Sequence, residues 1–172
     1  MFDGEGFVRG VRRKGKQVAG ARAYVLGSGG VGSAIAASLA AAGVAALGLK
    51  DFHPAAATAL ADRLRLHYPA LEVADGAADP AGYDIVVNAT PIGMKDNDPL
   101  PFDMARIKPS TFVGEVVMKQ QHTPLLQAAL AKGCTVQVGT DMLFEQIPAY
   151  LEFFGFPSTT PEELRQLARL SG

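Results

Sequence analysis

The residues best suited to chemistry are a run of glycines between two apolar segments. Residues 27–32 follow the apolar residues 23–26 and precede an alanine-rich stretch. Glycines permit a tight turn between a strand and a helix, and the helix N-terminus offers free N–H groups and a favourable dipole to a phosphate. The pattern predicts a turn that binds the pyrophosphate of a dinucleotide. Its residues are Gly27, Ser28, Gly29, Gly30, Val31 and Gly32.

A carboxylate follows at the spacing expected for a ribose contact. Asp51 ends a second apolar segment, residues 45–50. A carboxylate here accepts hydrogen bonds from the adenosine ribose and repels a 2′-phosphate, which favours NAD over NADP. His53 could instead meet a phosphate, so NADP stays open. A glycine loop without a ligand, with Asp51 as a plain surface residue, is the competing interpretation, and the complete order of strand, turn, helix, strand and acid disfavours it.

The elements that would position these residues alternate between strand and helix. Apolar runs predict strands at 23–26, 45–50, 71–73, 84–88, 111–117 and 135–138. Helices are predicted at 7–14, 31–42, 54–67, 124–131, 142–153 and 161–170, the last with a capping box from Thr160 to Glu163. This alternation predicts one α/β domain over residues 1–172, a doubly wound parallel sheet of the Rossmann type.

Polar residues also follow the strand predicted at 84–88. In a doubly wound sheet, ligands bind beyond the carboxyl ends of the strands. Asn88 and Thr90, with Ala89 and Pro91 beside them, lie at such an end and could hydrogen-bond to a ribose or to the phosphate nearer the nicotinamide. Local turn bonding by Asn88 and Thr90 ahead of Pro91 is an equally supported alternative.

Composition restricts the partners. The 172 residues are 48% hydrophobic with a net charge of −1, which suits one core and offers no broad basic surface for nucleic acid. Glycine and alanine dominate the uncharged stretch 23–49, which argues against a membrane span. The three histidines lie far apart, so no metal site is predicted. The single cysteine, Cys134, fits a reducing compartment, and a cytoplasmic location is expected.

Five separated segments carry a family resemblance. They are MFDGEGF at 1–7, GSGGVGSA at 27–34, NATPIGM at 88–94, the spacing from Glu115 to TPLL at 123–126, and GTDMLFEQ at 139–146. Together they resemble the C-terminal, nucleotide-binding half of shikimate dehydrogenases, including the quinate/shikimate and shikimate dehydrogenase-like branches. The individual motifs are loose, but their order and spacing are specific and extend over nearly the whole chain.

The resemblance implies a role for several residues. Asp3 would pair with a catalytic lysine and touch the substrate hydroxyls, and Gln146 would contact the substrate ring. Gly139 and Met142 match a loop against the nicotinamide, and Asn88, Ala89, Thr90 and Pro91 match a loop beside the cofactor. The implied reaction is reversible hydride transfer between a nicotinamide cofactor and a secondary alcohol of shikimate or quinate.

Departures from the family pattern bear on cofactor and substrate. Asp51 and Phe52 stand where NADP-using members usually carry asparagine and arginine, which again favours NAD. Met118 stands where many members carry a tyrosine that contacts the substrate, so this chain lacks the phenol for that contact. The family's substrate lobe, which supplies the catalytic lysine, has no counterpart in these residues. The chain is therefore expected to be the cofactor half of a longer enzyme, inactive by itself.

Some alternatives stay open. Asp3 could be a helix N-cap and Gln146 an exposed helix residue. A standalone NAD-binding module without catalysis is the competing function. An S-adenosylmethionine methyltransferase is a third, which NATPIGM and MLFEQ fit poorly. The choice between shikimate, quinate and aminated analogues is open, as is the oligomeric state, with a homodimer among the alternatives.

Overall fold

A computed structural model describes residues 2–77 and 79–168. Its strands are β1 (Arg22–Leu26), β2 (Ala46–Lys50), β3 (Glu72–Asp75), β4 (Ile85–Asn88), β5 (Phe112–Glu115) and β6 (Thr135–Gln137). Its helices are α1 (Phe2–Arg13), α2 (Gly30–Ala41), α3 (Pro54–His67), α4 (Pro124–Ala131), α5 (Gly139–Phe154) and α6 (Pro161–Leu167). The strands form one parallel sheet in the order β3-β2-β1-β4-β5-β6. The predicted doubly wound Rossmann-type fold is confirmed.

Helices cover both faces of the sheet, which explains the continuous apolar runs of its central strands. Alternate residues of one strand enter different cores, because side chains in a strand point to opposite faces. Ala23 and Val25 of β1 join the core under α1, α2 and α3, whereas Tyr24 and Leu26 join the core under α4. All four residues of β4 are buried.

Helix α1 begins five residues earlier than the predicted start at residue 7. The prediction was wrong because Gly4 and Gly6 weaken the local helix signal. Packing overrides that propensity. A Cβ at Gly4 would overlap the carbonyl oxygen of Ala34 in α2, and one at Gly6 would overlap the backbone of Met142 in α5. The glycines therefore let α1 lie against both helices.

Several other boundaries differ from the predictions. Helix α5 begins at Gly139, three residues before the predicted start, and β5 ends at Glu115, before the predicted end at residue 117. Thr160 and Glu163 form the predicted capping box of α6, which ends at Leu167. Residues 169 and 170 of the predicted last helix lie outside the described residues. Within residues 2–77 and 79–168, every helix is too short or too polar to cross a membrane.

Candidate functional site

The candidate site lies at the carboxyl ends of β1 and β4, where the strand order reverses. Neighbouring strands at such a point lead their chains to opposite sides of the sheet and leave a crevice between the two loops. The loops are in direct contact at the base. The backbone N–H of Ala89 donates to the carbonyl oxygen of Leu26 at 2.8 Å, and a Cβ at Gly27 would come within 2.6 Å of the Ala89 carbonyl oxygen.

The glycines after β1 meet two different requirements. Gly27 has a φ of +104°, which side chains rarely allow, and a Cβ at Gly32 would overlap the carbonyl oxygen of Gly27. A Cβ at Gly29 or Gly30 would instead meet open space. Gly27 and Gly32 are thus needed to form the turn, whereas Gly29 and Gly30 leave its outer side free for a close approach by a ligand.

The N-terminus of α2 is suited to an anion. Its N-cap, Gly29, provides no side-chain cap, and its first turn contains no acidic residue. The backbone N–H groups of the first three helical residues have no partner within the helix, because the helix begins there. Ser28 adds a buried hydroxyl without a hydrogen-bond partner among the described residues. A pyrophosphate fits this set of donors.

Asp51 links the glycine turn to the loop after β2. Its Oδ2 accepts a hydrogen bond from the backbone N–H of Ser28 at 2.6 Å, and its Oδ1 accepts one from the N–H of His53 at 2.8 Å. Each carboxylate oxygen has a further lone pair for a ribose hydroxyl. The carboxylate is therefore held in place beside the turn, and its contact with a ribose stays a prediction. Phe52, next to it, is 66% exposed.

Asn88 and Thr90 bond within their own loop. Asn88 is fully buried, and its Oδ1 accepts from both the N–H and the hydroxyl of Thr90, the latter at 2.6 Å. The Asn88 Nδ2 donates to the carbonyl oxygen of Ile92 at 2.9 Å. The local turn bonding foreseen as an alternative is thus present. These bonds shape the loop, and a direct cofactor contact by Asn88, Ala89, Thr90 or Pro91 stays a prediction.

Helices α1 and α5 position the two residues assigned to the substrate. Asp3 lies in the first turn of α1, one turn before Phe7, whose ring packs against Gly114 of β5. This turn therefore lies towards the carboxyl ends of the strands. Because α1 begins at Phe2, Asp3 is inside the helix, and the N-cap alternative is wrong.

Gln146 is a buried residue of α5. It is 7% exposed, so the alternative of an exposed helix residue is wrong. Its Nε2 donates to the hydroxyl of Tyr150 at 3.0 Å, and its Oε1 has no partner among the described residues. Gly6 of α1 lies against the same turn of α5. A contact of Gln146 with the substrate ring stays a prediction.

Gly139 and Met142 lie in the first turn of α5 and not in a loop, which corrects the prediction. A Cβ at Gly139 would overlap the carbonyl oxygen of Val117, so a glycine is needed where α5 meets the segment after β5. Met142 is 5% exposed and belongs to the core under α1. A contact of Gly139 or Met142 with the nicotinamide stays a prediction.

Proteins with a named activity are similar to this chain in sequence and in fold. No protein-family model matches the chain. It is 37% identical over 163 residues to the shikimate dehydrogenase (NADP(+)) of Acidiphilium cryptum (strain JF-5). The structure of quinate dehydrogenase from Corynebacterium glutamicum in complex with NAD matches 95% of the chain, with a TM-score of 0.82 and 32% identity. Over almost its whole length, the chain is similar to one part of shikimate/quinate dehydrogenases.

The family match covers this chain almost fully but only part of each relative. The alignment covers 94% of the chain and 58% of the A. cryptum shikimate dehydrogenase, and the C. glutamicum structure is covered to 60%. The chain corresponds to the C-terminal, nucleotide-binding part of shikimate/quinate dehydrogenases. The 5-ketofructose reductase of Gluconobacter sp. strain CHM43 has the same fold, with a TM-score of 0.86 and 30% identity over 95% of this chain and 61% of that one.

The sequence analysis assigned no chemical role to one acidic residue of this chain. Glu115 served only as a spacing marker, yet it is fully buried at the end of β5. Burial raises the pKa of its carboxyl group to about 7, and the side chains of Thr123 and Asn88 partly oppose that rise. A charged residue that closes an apolar strand is the signal that could have identified it.

Proposed function

We propose that this chain is the NAD-binding half of a shikimate or quinate dehydrogenase, which transfers a hydride reversibly between a secondary alcohol of a cyclic polyol and the nicotinamide. The observation that carries the proposal is the open glycine turn at the N-terminus of α2, with the Asp51 carboxylate hydrogen-bonded to it. Relatives named for shikimate and quinate support the choice of substrate.

NAD is the proposed cofactor. The Asp51 carboxylate accepts hydrogen bonds from ribose hydroxyls and repels a 2′-phosphate. Phe52, the next residue, brings no positive charge to that end of the site. The C. glutamicum neighbour was solved with NAD, although the A. cryptum relative is named for NADP(+). The bound cofactor supplies the hydride acceptor, and the residues of this chain hold its pyrophosphate and its adenosine ribose.

The proposed substrate site lies at the first turn of α1. Asp3 would orient a substrate hydroxyl and a lysine supplied by a separate substrate lobe, and Gln146 would bind a second hydroxyl through its free Oε1. Met118 is 53% exposed where the family pattern has tyrosine. Because a thioether donates no hydrogen bond, the proposed substrate lacks the phenolic contact at this position.

The first test is calorimetric titration of the chain with NAD, NADP and S-adenosylmethionine. We expect NAD to bind most tightly, and we expect no turnover of shikimate or quinate by this chain alone. Binding of S-adenosylmethionine without NAD would contradict the proposal and favour a methyltransferase.

The second test restores a substrate lobe. We expect the chain fused behind a family substrate lobe to oxidise shikimate or quinate with NAD, and 5-ketofructose reduction with NADH serves as the competing assay. Activity with 5-ketofructose alone would replace the substrate assignment. A folded fusion that binds NAD but is inert towards all three compounds would favour a module without catalysis.

A further inference from the structure

Tyr150 is a polar residue of α5 that the proposed reaction leaves without a role. It lies four residues after Gln146, so the two side chains share one face of the helix. The Nε2 of Gln146 donates a hydrogen bond to the Tyr150 hydroxyl at 3.0 Å. Tyr150 is only partly buried, whereas Gln146 is buried. This hydrogen bond fixes the direction in which the side-chain amide of Gln146 faces.

The Gln146 amide has one end that donates hydrogen bonds and one end that accepts them. Because its Nε2 faces Tyr150, its Oε1 faces away from that hydroxyl, and this oxygen has no hydrogen-bond partner within residues 2–77 and 79–168. A buried acceptor without a partner is costly, so this atom is suited to a ligand that donates a hydrogen bond. A hydroxyl or an amine can donate one, but a ketone or an ionised carboxylate cannot.

The ring of Tyr150 packs against α1. Its centroid lies 4.2 Å from that of the Phe2 ring, at an interplanar angle of 45°. Phe2 precedes Asp3 in the first turn of α1. One turn further along α1, a Cβ at Gly6 would come within 2.8 Å of the Gln146 Cβ. Contacts with two turns of α1 therefore set where the Gln146 amide lies relative to Asp3.

A purely structural role for the same hydrogen bond is the competing explanation. Pro148 lies inside α5 and has no N–H for the carbonyl oxygen of Phe144, so this part of the helix lacks one backbone hydrogen bond. The bond from Gln146 to Tyr150 spans the same turn. A bond with that purpose alone would contribute to stability and would leave the preference among substrates unchanged.

We propose that Tyr150 is a positioning residue for the substrate: it holds the Gln146 amide with Oε1 towards the substrate, so that this position accepts a hydrogen bond from a substrate hydroxyl. The inference rests on the proposed function, in which Gln146 binds the polyol. Without the tyrosine hydroxyl, the amide can turn about its last side-chain bond and present Nε2 instead. Tyr150 therefore makes the position selective for a hydroxyl over an oxygen that only accepts.

The test compares the wild type with Tyr150→Phe in the chain fused behind a family substrate lobe. Phenylalanine keeps the ring against Phe2 and removes only the hydroxyl. We expect KM for the better substrate, shikimate or quinate, to rise about tenfold with kcat little changed, because the bond acts on substrate binding. Tyr68→Phe, at the residue after α3, is the matched control and should keep the wild-type values.

Analogues that each lack one non-reacting hydroxyl of that substrate separate recognition from stability. With the wild type, one analogue should show a KM about tenfold above that of the parent substrate, because it lacks the donor for Oε1. With Tyr150→Phe, the same analogue and the parent should have equal KM values. An unchanged KM in Tyr150→Phe, or a lower thermal midpoint with the wild-type preference retained, would overturn the proposal.

Gln146→Met tests whether Tyr150 acts through Gln146, since methionine has a similar shape and no amide. We expect Gln146→Met to raise KM, and we expect the addition of Tyr150→Phe to raise it no further. Effects of the two substitutions that multiply would show that Tyr150 acts independently of Gln146, which contradicts a positioning role.

A second measurement uses the chain without a substrate lobe. Nitrogen-15 labelling of glutamine follows the side-chain N–H groups of Gln146 by NMR. We expect these resonances to move in Tyr150→Phe and to stay in place in Tyr68→Phe. Unmoved resonances in Tyr150→Phe would show that Tyr150 does not hold the amide. A wild-type fusion inert towards shikimate, quinate and 5-ketofructose would defeat the proposed function separately, and the NMR comparison would still decide whether Tyr150 holds Gln146.

Discussion

Single residues of the glycine turn divide into those that the fold requires and those that the ligand requires. Gly27 has a positive φ and Gly32 has no room for a Cβ, so both are explained by the turn itself. Gly29 has a φ of −70°, which any residue can adopt, and open space in front of it. Nothing among its described contacts demands a glycine there. A ligand that approaches the backbone closely would demand one.

Gly29→Ala should therefore weaken NAD binding while sparing the fold. We expect an unchanged thermal midpoint and a Kd for NAD at least about tenfold higher, because the added methyl group occupies the approach of the pyrophosphate. Gly32→Ala is the matched control and should lower the free energy of unfolding by roughly 2 kcal/mol or more through overlap with Gly27. Differential scanning calorimetry and NAD titration measure both effects. Normal NAD affinity in Gly29→Ala would place the pyrophosphate elsewhere.

Asp51→Ala should change the preference between cofactors. We expect the Kd for NAD to rise about tenfold, since the hydrogen bonds of the carboxylate to the ribose are lost. The Kd for NADP should rise less, because the repulsion of its 2′-phosphate is removed as well. Asp84 is the control: its carboxylate accepts the N–H of Arg22 at 2.9 Å, at the amino ends of β1 and β4. Equal losses for NAD and NADP would show that Asp51 does not recognise the ribose.

At the scale of elements, ion pairs join both α6 and α1 to α5. Arg165 of α6 lies 2.9 Å from an oxygen of Asp141, and Arg13 of α1 lies 2.6 Å from an oxygen of Glu145. The Glu145 side chain is only 3% exposed. A buried carboxylate that loses its nearest cation is strongly destabilising. These pairs therefore fix α5, the helix that carries Gln146.

Arg13→Met should show how much the Arg13–Glu145 ion pair contributes to stability. We expect the free energy of unfolding to fall by roughly 1–2 kcal/mol, a value reduced from that of a fully buried pair because the Arg13 side chain is partly exposed. Arg12→Met is the matched control, since Arg12 is exposed and has no ion pair among the described residues. Its effect should stay within about 0.5 kcal/mol. Urea denaturation compares the two variants, and equal losses would refute a special role for the Arg13–Glu145 pair.

The elements that could be predicted from sequence are those whose signals are local. Helices α3 and α4 begin with Pro54 and Pro124 and have the predicted bounds, because proline favours the first helical turn. Helix α1 was predicted too short, since its glycines serve contacts with α2 and α5 that no local pattern reveals. The glycine turn and Asp51 could be located by spacing. The burial of Glu115 and Met142 could not, because it arises from tertiary packing.

At the scale of the whole molecule, Glu115 links stability to pH. Burial raises its pKa to about 7 from an ordinary value of 4.5, so between these limits the folded state binds more protons than the unfolded state. The stabilisation from this group is complete below pH 4.5 and is lost as the pH rises through about 7.

We expect the free energy of unfolding of the wild type to fall by roughly 2 kcal/mol between pH 5 and pH 8.5 from this group alone. Glu115→Gln should lack this contribution. Urea denaturation at a series of pH values measures the slope for both proteins. Parallel pH profiles for the two would mean that Glu115 does not ionise within this range.

The position of a bound dinucleotide on this chain can be measured directly by nitrogen-15 NMR during titration with NAD. We expect saturable shifts of the backbone amides of Gly29, Gly30, Val31, Gly32 and Asp51, since the pyrophosphate and the ribose would lie against them. Saturating NAD that leaves these five amides unchanged, or that shifts only amides remote from the carboxyl ends of β1 and β4, would contradict the account.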